Sequence, residues 1–172
     1  LLGSFASALF LYGIALIYGA TGATDFQTIA LVLSESGLGS DPLFVAGAGL
    51  LTAGLAFKIA AVPFHAWAPD AYEGAHAPVA AFLATASKAA GLAALGRVCW
   101  AVFKTPSNPL QLDKLLPEVS MVLAGLAALS IIVGSIIALA QTNIKRLLAY
   151  SSIAHAGYAL LGFISGTNAG TE

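Results

Sequence analysis

The sequence predicts an all-α fold, a polytopic transmembrane helical bundle of about five spans with one span broken at Pro63. Three observations predict it. Of the 172 residues, 59% are hydrophobic and 9% are charged, whereas about 25% are charged in an ordinary soluble domain. Five segments are apolar over about 20 residues, the length of helix that crosses a bilayer. None of them alternates with the period of two that barrel strands require, so helix is the state that satisfies the backbone in lipid.

Proline residues and one capping residue mark where three of the spans begin. Asp41 is a favourable N-cap, and Pro42 suits the first helical position because the N–H that it lacks would have no helical partner. Pro78 and Pro117 open the next two spans in the same way. The turn TNIKR at 142–146 is so short that the last two spans must be antiparallel neighbours. We therefore place spans near 1–19, 42–65, 78–103, 118–141 and 147–166, in a single transmembrane domain over 1–172.

The segment between the first two spans, TDFQTIALVLSES at 24–36, predicts a short amphipathic helix. Its apolar residues recur at helical spacing with polar residues between them. These residues are Phe26, Ile29, Ala30 and Leu33. A helix of this length cannot cross the hydrocarbon core, so we expect it to lie along the membrane surface.

Charge and cysteine content exclude several classes of function. The formal net charge is −1, so the chain lacks the basic surface that a nucleic-acid-binding protein needs. Cys99 is the sole cysteine, which leaves no disulfide framework, thiolate metal site or set of iron–sulfur ligands. The sequence contains no glycine-rich dinucleotide fingerprint. We therefore expect neither a cofactor nor a metal in this chain.

Three basic residues fall within the predicted spans, and the one acidic residue within their bounds, Glu118, lies at the first position of its span. At about 1.5 Å rise per residue, Lys58 lies roughly 24 Å from Pro42 and Lys88 roughly 15 Å from Pro78. Allowing for the break in the helix, both amines fall near the middle of the bilayer. A lysine there costs about 2.5 to 3.5 kcal/mol on insertion scales and usually serves a function. Arg97 lies close to the far end of its span, where its long side chain can reach the interface.

Two buried lysines on neighbouring helices predict either a proton relay or a pair of structural charges. Low-dielectric surroundings disfavour the charged form of a lysine, and a nearby carboxylate restores it. Moving that carboxylate would therefore make the lysine release or take up a proton. In the alternative, each lysine stays locked in a permanent ion pair. We expect Asp70 and Glu73 in or near the loop after the broken helix, so the counter-ion should come from residues outside this chain.

Two histidines and several hydroxyls are further candidates for proton transfer. Pro63 breaks the helix that carries Lys58, and a broken helix near a mid-membrane charge is typical of transporters. His65 either exchanges protons or serves as a loop or capping residue. His155 lies roughly 12 Å into the last span, where an ionisable group indicates function, and Ser151 and Ser152 lie one turn before it. Other hydroxyls that could hold a water chain are those of Thr85, Ser87, Ser130 and Ser135, although such hydroxyls also bond their own backbone.

Two stretches of the sequence resemble a known family. FKIAAVPFHAWAPDAYEGAHAPVAAFLATASK at 57–88 and NIKRLLAYSSIAHAGY at 143–158 resemble the antiporter-like membrane subunits of respiratory complex I. Within that family the chain is most similar to the branch formed by bacterial subunit N and mitochondrial subunit 2. The VPFHAWAPDAYEG string with a lysine on either side is the specific part of the resemblance.

The resemblance implies a larger bundle of two inverted repeats, with this chain holding the end of one and the start of the other. It implies that Lys58 pairs with a glutamate beyond this chain, and that Lys88 and His155 line a central hydrophilic axis. Lys145 and Arg146 would have topology and docking roles. The sequence begins inside an apolar run without an initiator methionine, so we expect a fragment of a longer protein.

The implied function is proton translocation driven by quinone reduction elsewhere in the NADH:quinone oxidoreductase, in the bacterial plasma membrane. Other subunits would bind NAD, flavin, iron–sulfur clusters and quinone. The partners would be the other membrane subunits, lipid and protons. Two alternatives stay open: a subunit of a multisubunit cation/proton antiporter, and a structural membrane subunit that conducts nothing.

Overall fold

Helices account for the regular structure of the described chain, which comprises residues 2–102 and 117–165 of a computed structural model. The helices are α1 (Leu2–Thr21), α2 (Phe26–Ser36), α3 (Pro42–Ile59), α4 (Trp67–Gly74), α5 (Ala77–Phe82), α6 (Lys88–Ala101), α7 (Pro117–Leu139) and α8 (Ile144–Ser165). A short 3₁₀ turn precedes α3, and a π-helical turn, Leu83–Ser87, joins α5 to α6 without a break. No strand occurs within these two described ranges.

Five helical segments in the described residues are long and apolar enough to cross a membrane, which confirms the predicted fold class. They are Leu2–Thr21, Pro42–Ile59, Ala77–Ala101, Val119–Leu139 and Ile144–Ile164. The predicted ends at 103 and 166 lie outside the described residues. The last helix begins at Ile144, three residues earlier than predicted, so Lys145 and Arg146 belong to its first turn.

The break predicted at Pro63 extends over residues 60 to 66. Helix α3 ends at Ile59, because Ala60 adopts a left-handed conformation with φ of 58°. The chain resumes as a helix at Trp67. Asp70 and Glu73 therefore lie on α4. The prediction that they lie in or near a loop after the broken helix was wrong. A second short helix forms because WAPDAYEG contains helix-compatible residues, and Pro69 lies in its first turn, where a missing N–H leaves no bond unmade.

Two side chains bond backbone groups at the break; one of these groups, the Phe57 carbonyl, also accepts from the Ala60 N–H at 3.1 Å. Within the membrane, an unpaired backbone N–H or C=O costs several kcal/mol. The Val62 N–H donates to Ser130 Oγ on α7 at 2.9 Å. The Trp67 indole N–H donates to the Phe57 carbonyl at 3.0 Å. The interrupted backbone is therefore stabilised by α7 on one side and by α4 on the other.

Close helix contacts rely on glycine. A Cβ added at Gly134 of α7 would lie 2.9 Å from the Ala154 nitrogen of α8, and one added at Gly13 of α1 would lie 2.6 Å from the Leu51 nitrogen of α3. Such distances are too short for any side chain, so the backbones touch directly, as small residues allow in membranes. The short turn after α7 thus joins α7 and α8 as neighbours, as its length predicts.

Buried apolar side chains form two clusters. The larger is built mainly on α3, α6 and α7, with contributions from α1, α2 and α8. The smaller surrounds the break and joins α4 to α8; it comprises Ala60, Val62, Ala68, Tyr72, Ala149 and Ile153. This second cluster positions the polar groups described next.

Candidate functional site

Lys88 is a buried cation at the start of α6. Its side chain is 5% exposed. Its Nζ donates to Ser152 Oγ on α8 at 2.6 Å and lies 6.0 Å from the ring centroid of Tyr72 on α4. No carboxylate bonds to Lys88 within residues 2–102 and 117–165. The π-helical turn immediately before Lys88 is a feature that is frequent at functional sites.

Tyr72 lies above this amine and is 3% exposed. Its ring packs edge-on against Trp67, with centroids 6.4 Å apart, and Trp67 stacks in turn on Phe57 of α3. The Tyr72 hydroxyl is buried and has no hydrogen-bond partner in the part of the chain that the structure describes. The aromatic contacts fix the ring while the hydroxyl stays available.

Lys58 has different surroundings from Lys88. It lies in the last turn of α3 and is exposed, so the prediction of two buried lysines is wrong for Lys58 within the described chain. Its side chain lies beside Gly91 of α6, where an added Cβ would be 3.5 Å from Lys58 Cγ. The lysine lines a cavity of about 760 Å³ between α1, α3 and α6. Among the described residues no acid pairs with it, in line with a counter-ion supplied from outside this chain.

His65 lies within the break of the helix. Its ring meets Tyr150 of α8 edge-on, with centroids 6.3 Å apart. Its Nδ1 atom is buried and lacks a hydrogen-bond partner among the residues described. The side chain as a whole is half-buried. This position faces α8 on the side of the smaller cluster.

His155 is exposed on α8. Its Nδ1 donates to the Ser151 carbonyl at 2.8 Å, and its ring lies edge-on to Tyr158 at 6.0 Å. Lys88 contacts α8 at Ser152. The structure therefore joins Lys88 to a serine of α8 and does not bring it to His155.

Two of the hydroxyls proposed for a water chain bond the backbone. Ser130 is fully buried and accepts from Val62, and the Thr85 hydroxyl donates to the Ala81 carbonyl at 2.8 Å. Ser152 is the hydroxyl that contacts a lysine. The sequence signal for it was its place in the YSSIAHAGY string, one turn before His155.

A cluster of charged and amide side chains, here called the α4–α8 ionic cluster, was missed from the sequence. Arg146 on α8 pairs with Asp70 at 2.6 Å and with Glu73 at 2.8 Å, both on α4. Asn143 donates to the Glu73 carboxylate at 2.8 Å. Lys145 donates to the carbonyls of Glu73 and Ala75. These contacts join residues 70 to 76 positions apart, and no local pattern in the sequence predicts a contact at that separation.

Arg97 occupies the other end of the α5–α6 span. Its side chain is exposed, and its guanidinium carbon lies 5.8 Å from the ring centroid of Phe26 at the start of α2. This is the distance of a cation–π contact. Asp25 caps α2 by accepting from the Thr28 N–H at 2.8 Å, a bond that lowers the pKa of the Asp25 carboxyl.

Comparison with known proteins identifies the family. Residues 1–172 match the family described as NADH:quinone oxidoreductase/Mrp antiporter, TM. The chain belongs to this family. The resemblance based on the VPFHAWAPDAYEG string is thereby confirmed. Because the family is a transmembrane one and five helices of the described chain are long and apolar enough to cross a bilayer, the chain is an integral membrane protein.

Individual relatives are consistent with this family assignment. NADH-quinone oxidoreductase subunit N of Desulfovibrio desulfuricans is 51% identical over 175 residues, which cover 99% of this chain and 33% of that protein. A chain of respiratory complex I from Thermus thermophilus with bound aureothin is 48% identical with a TM-score of 0.74, over 96% of this chain and 33% of that chain. A chain of the archaeal membrane-bound sulfane sulfur reductase is 31% identical with a TM-score of 0.82, over 99% of this chain and 34% of that chain. The present chain spans about a third of the length of these relatives.

Proposed function

We propose that this chain forms part of a proton-translocating membrane subunit of NADH:quinone oxidoreductase. Proton transfer through it would be coupled to quinone reduction in other subunits. Support comes from the family match and from the 51% identity to a subunit N. The chain acts as part of an enzyme, a translocase, and contributes no redox site itself. Other subunits would hold NAD, flavin, iron–sulfur clusters and quinone, and the complex would reside in a bacterial plasma membrane with other membrane subunits as neighbours.

The observation that carries the proposal is the burial of Lys88. The residue lies within the apolar span Ala77–Ala101, is 5% exposed and bonds to a serine hydroxyl, with no carboxylate bonded to it in the described chain. A permanent structural charge in lipid would be expected to have a close carboxylate partner. A lysine without one is suited to exchange its proton.

The other predicted site residues take roles that follow from their surroundings. Lys58 borders an open cavity. A carboxylate from outside this chain could enter that cavity and stabilise the charged form of the lysine. His155 is exposed on α8, available to a neighbouring helix of the longer protein. His65 has a buried, unpartnered ring nitrogen beside the break. We propose Lys58, Lys88 and His155 as relay residues, with His65 as a further candidate.

Proton pumping by inverted membrane vesicles, driven by NADH, tests this function. The full-length protein would carry Lys88→Met or Lys58→Ala, and assembly of the complex would be checked alongside. We expect both variants to assemble and to lose pumping together with coupled quinone reduction. Arg97→Met is the matched control, because it removes an exposed cation from the same helix as Lys88, and it should pump normally.

Retained pumping by assembled Lys88→Met would contradict the proposal and favour a structural subunit. Proton transport that depends on a sodium gradient, and not on NADH, would favour a cation/proton antiporter.

A further inference from the structure

The Lys88 amine has more hydrogen-bonding capacity than its neighbours use. A lysine ammonium carries three N–H donors. In residues 2–102 and 117–165 the amine donates to Ser152 Oγ and otherwise faces the Tyr72 ring. The bond to Ser152, at 2.6 Å, has the short length of a charge-assisted bond. Ser152 accepts this bond with its oxygen, which leaves the serine proton free to be donated onward.

Tyr72 offers the next polar group. Its hydroxyl is buried without a hydrogen-bond partner among the described residues. The Lys88 amine is the neighbour that Tyr72 and Ser152 share: it bonds Ser152 Oγ at 2.6 Å and lies 6.0 Å from the Tyr72 ring centroid. Buried polar groups are nearly always satisfied by protein or by water. A water molecule between the two hydroxyls would satisfy both and join them.

Two other hydroxyls and His155 are committed elsewhere. Thr85 and Ser130 bond backbone groups. His155 is exposed and bonds the Ser151 carbonyl. The Tyr72 hydroxyl, by contrast, is buried on α4 and has no partner among the described residues. A route from Lys88 through Ser152 can therefore continue to Tyr72, two residues before the end of α4.

We propose that the hydroxyls of Ser152 and Tyr72 carry the proton that Lys88 exchanges, in the direction of the end of α4. The inference rests on the proposed proton-translocating function. The Lys88 ammonium gives a proton to Ser152 Oγ while Ser152 releases its own proton to the bridging water. The water passes a proton to Tyr72, which releases its own to a second water molecule at the end of α4. Each hydroxyl ends with one proton, the lysine ends as a neutral amine, and the net result is the movement of one proton.

The test uses single substitutions in the full-length subunit of the assembled complex, in inverted vesicles driven by NADH. Tyr72→Phe keeps the ring that packs on Trp67 and faces Lys88, and it removes the hydroxyl alone. Ser152→Ala removes the hydrogen-bond acceptor, and Ser152→Thr restores a hydroxyl. We expect Ser152→Ala to lower the pumping rate about tenfold or more, the usual scale for losing a hydrogen bond to a charged group. Tyr72→Phe should lower the rate by a similar factor, because the route then lacks one of its two hydroxyls. Ser152→Thr should pump well above Ser152→Ala.

Two controls separate proton transfer from packing. Tyr18→Phe removes a hydroxyl from an exposed tyrosine of α1 and should leave the rate unchanged. Comparison of pumping in H₂O and D₂O gives the second control, because slowed proton transfer raises the solvent isotope effect, whereas a packing defect lowers the rate without changing the ratio.

The outcomes distinguish this inference from the proposed function. Normal pumping by Tyr72→Phe and Ser152→Ala, with Lys88→Met inactive, would overturn the Ser152–Tyr72 route and leave the proposed function standing. Normal pumping by Lys88→Met would overturn the function itself, and the route with it. If one hydroxyl variant fails to assemble, the other decides the result.

Discussion

At the scale of single residues, the helix break depends on Ser130. This serine is fully buried on α7, and its hydroxyl accepts the Val62 N–H from the break. Ala60 enters the break with a positive φ, a conformation that costs an alanine about 1 kcal/mol or more. A hydrogen bond from a distant helix therefore offsets part of the cost of ending α3 inside the membrane.

Replacing Ser130 with alanine should destabilise the protein. The Val62 N–H would be left buried without an acceptor, at a cost of about 1 to 3 kcal/mol. Thermal unfolding of the purified full-length protein in detergent measures the loss. Ser135→Ala is the matched control, since it removes an exposed hydroxyl from the same helix, and its melting temperature should stay near that of the wild type. Equal melting temperatures for the two variants would contradict the role given to Ser130.

At the scale of helices, α7 and α8 pack with their backbones in contact at Gly134. An added Cβ there would lie 2.9 Å from the Ala154 nitrogen and 3.0 Å from the Tyr150 carbonyl oxygen. Backbone atoms cannot swing aside as a flexible side chain can. The two helices would have to separate to admit even a methyl group.

Gly134→Ala should accordingly destabilise the α7–α8 pair by about 1 to 3 kcal/mol, the usual cost of overpacking. Gly125→Ala, on the same helix, meets nothing within 4 Å and should be neutral or slightly stabilising through helix propensity. Denaturation of the two variants by titration with sodium dodecyl sulfate gives the difference in unfolding free energy. A Gly134→Ala variant as stable as Gly125→Ala would show that the helices separate freely.

Sequence reasoning succeeded at this scale where the signal was local. Apolar length gave the spans, and Asp41 before Pro42 gave the start of α3, where the Asp41 carboxylate does accept from the Leu43 N–H at 2.7 Å. The break was predicted from Pro63, but its first residue is Ala60, because a left-handed alanine has no signature in sequence. The contact of Lys88 with Ser152 depends on how α6 and α8 pack, which hydrophobic periodicity does not specify.

At the scale of the whole molecule, the two ends of the bundle are held by different contacts. Arg97 of α6 meets Phe26 of α2 at one end. The α4–α8 ionic cluster lies at the other end, beside the turn between α7 and α8. Alternation of the spans therefore places α2 and the α7–α8 turn on opposite sides of the membrane.

Cysteine labelling tests this arrangement. Glu35→Cys on α2 and Thr142→Cys in the α7–α8 turn both introduce exposed thiols, while the native Cys99 is buried. With a membrane-impermeant maleimide, one variant should label in inverted vesicles and the other in right-side-out vesicles. The parent protein is the control. Cys99 is the sole cysteine of this chain and should not label. Labelling of both variants from one side would contradict the alternation.

The α4–α8 ionic cluster also joins the two helices that contact the Lys88 amine. It ties the distal half of the broken helix, which carries Tyr72, to α8, which carries Ser152. Lys88 itself lies on the continuous α5–α6 span with its π-helical turn. A displacement of that span relative to α4 and α8 would lengthen the distance between the amine and the serine without unfolding a helix. The hydrogen bond between Lys88 and Ser152 could then break and re-form through a displacement smaller than one helical turn.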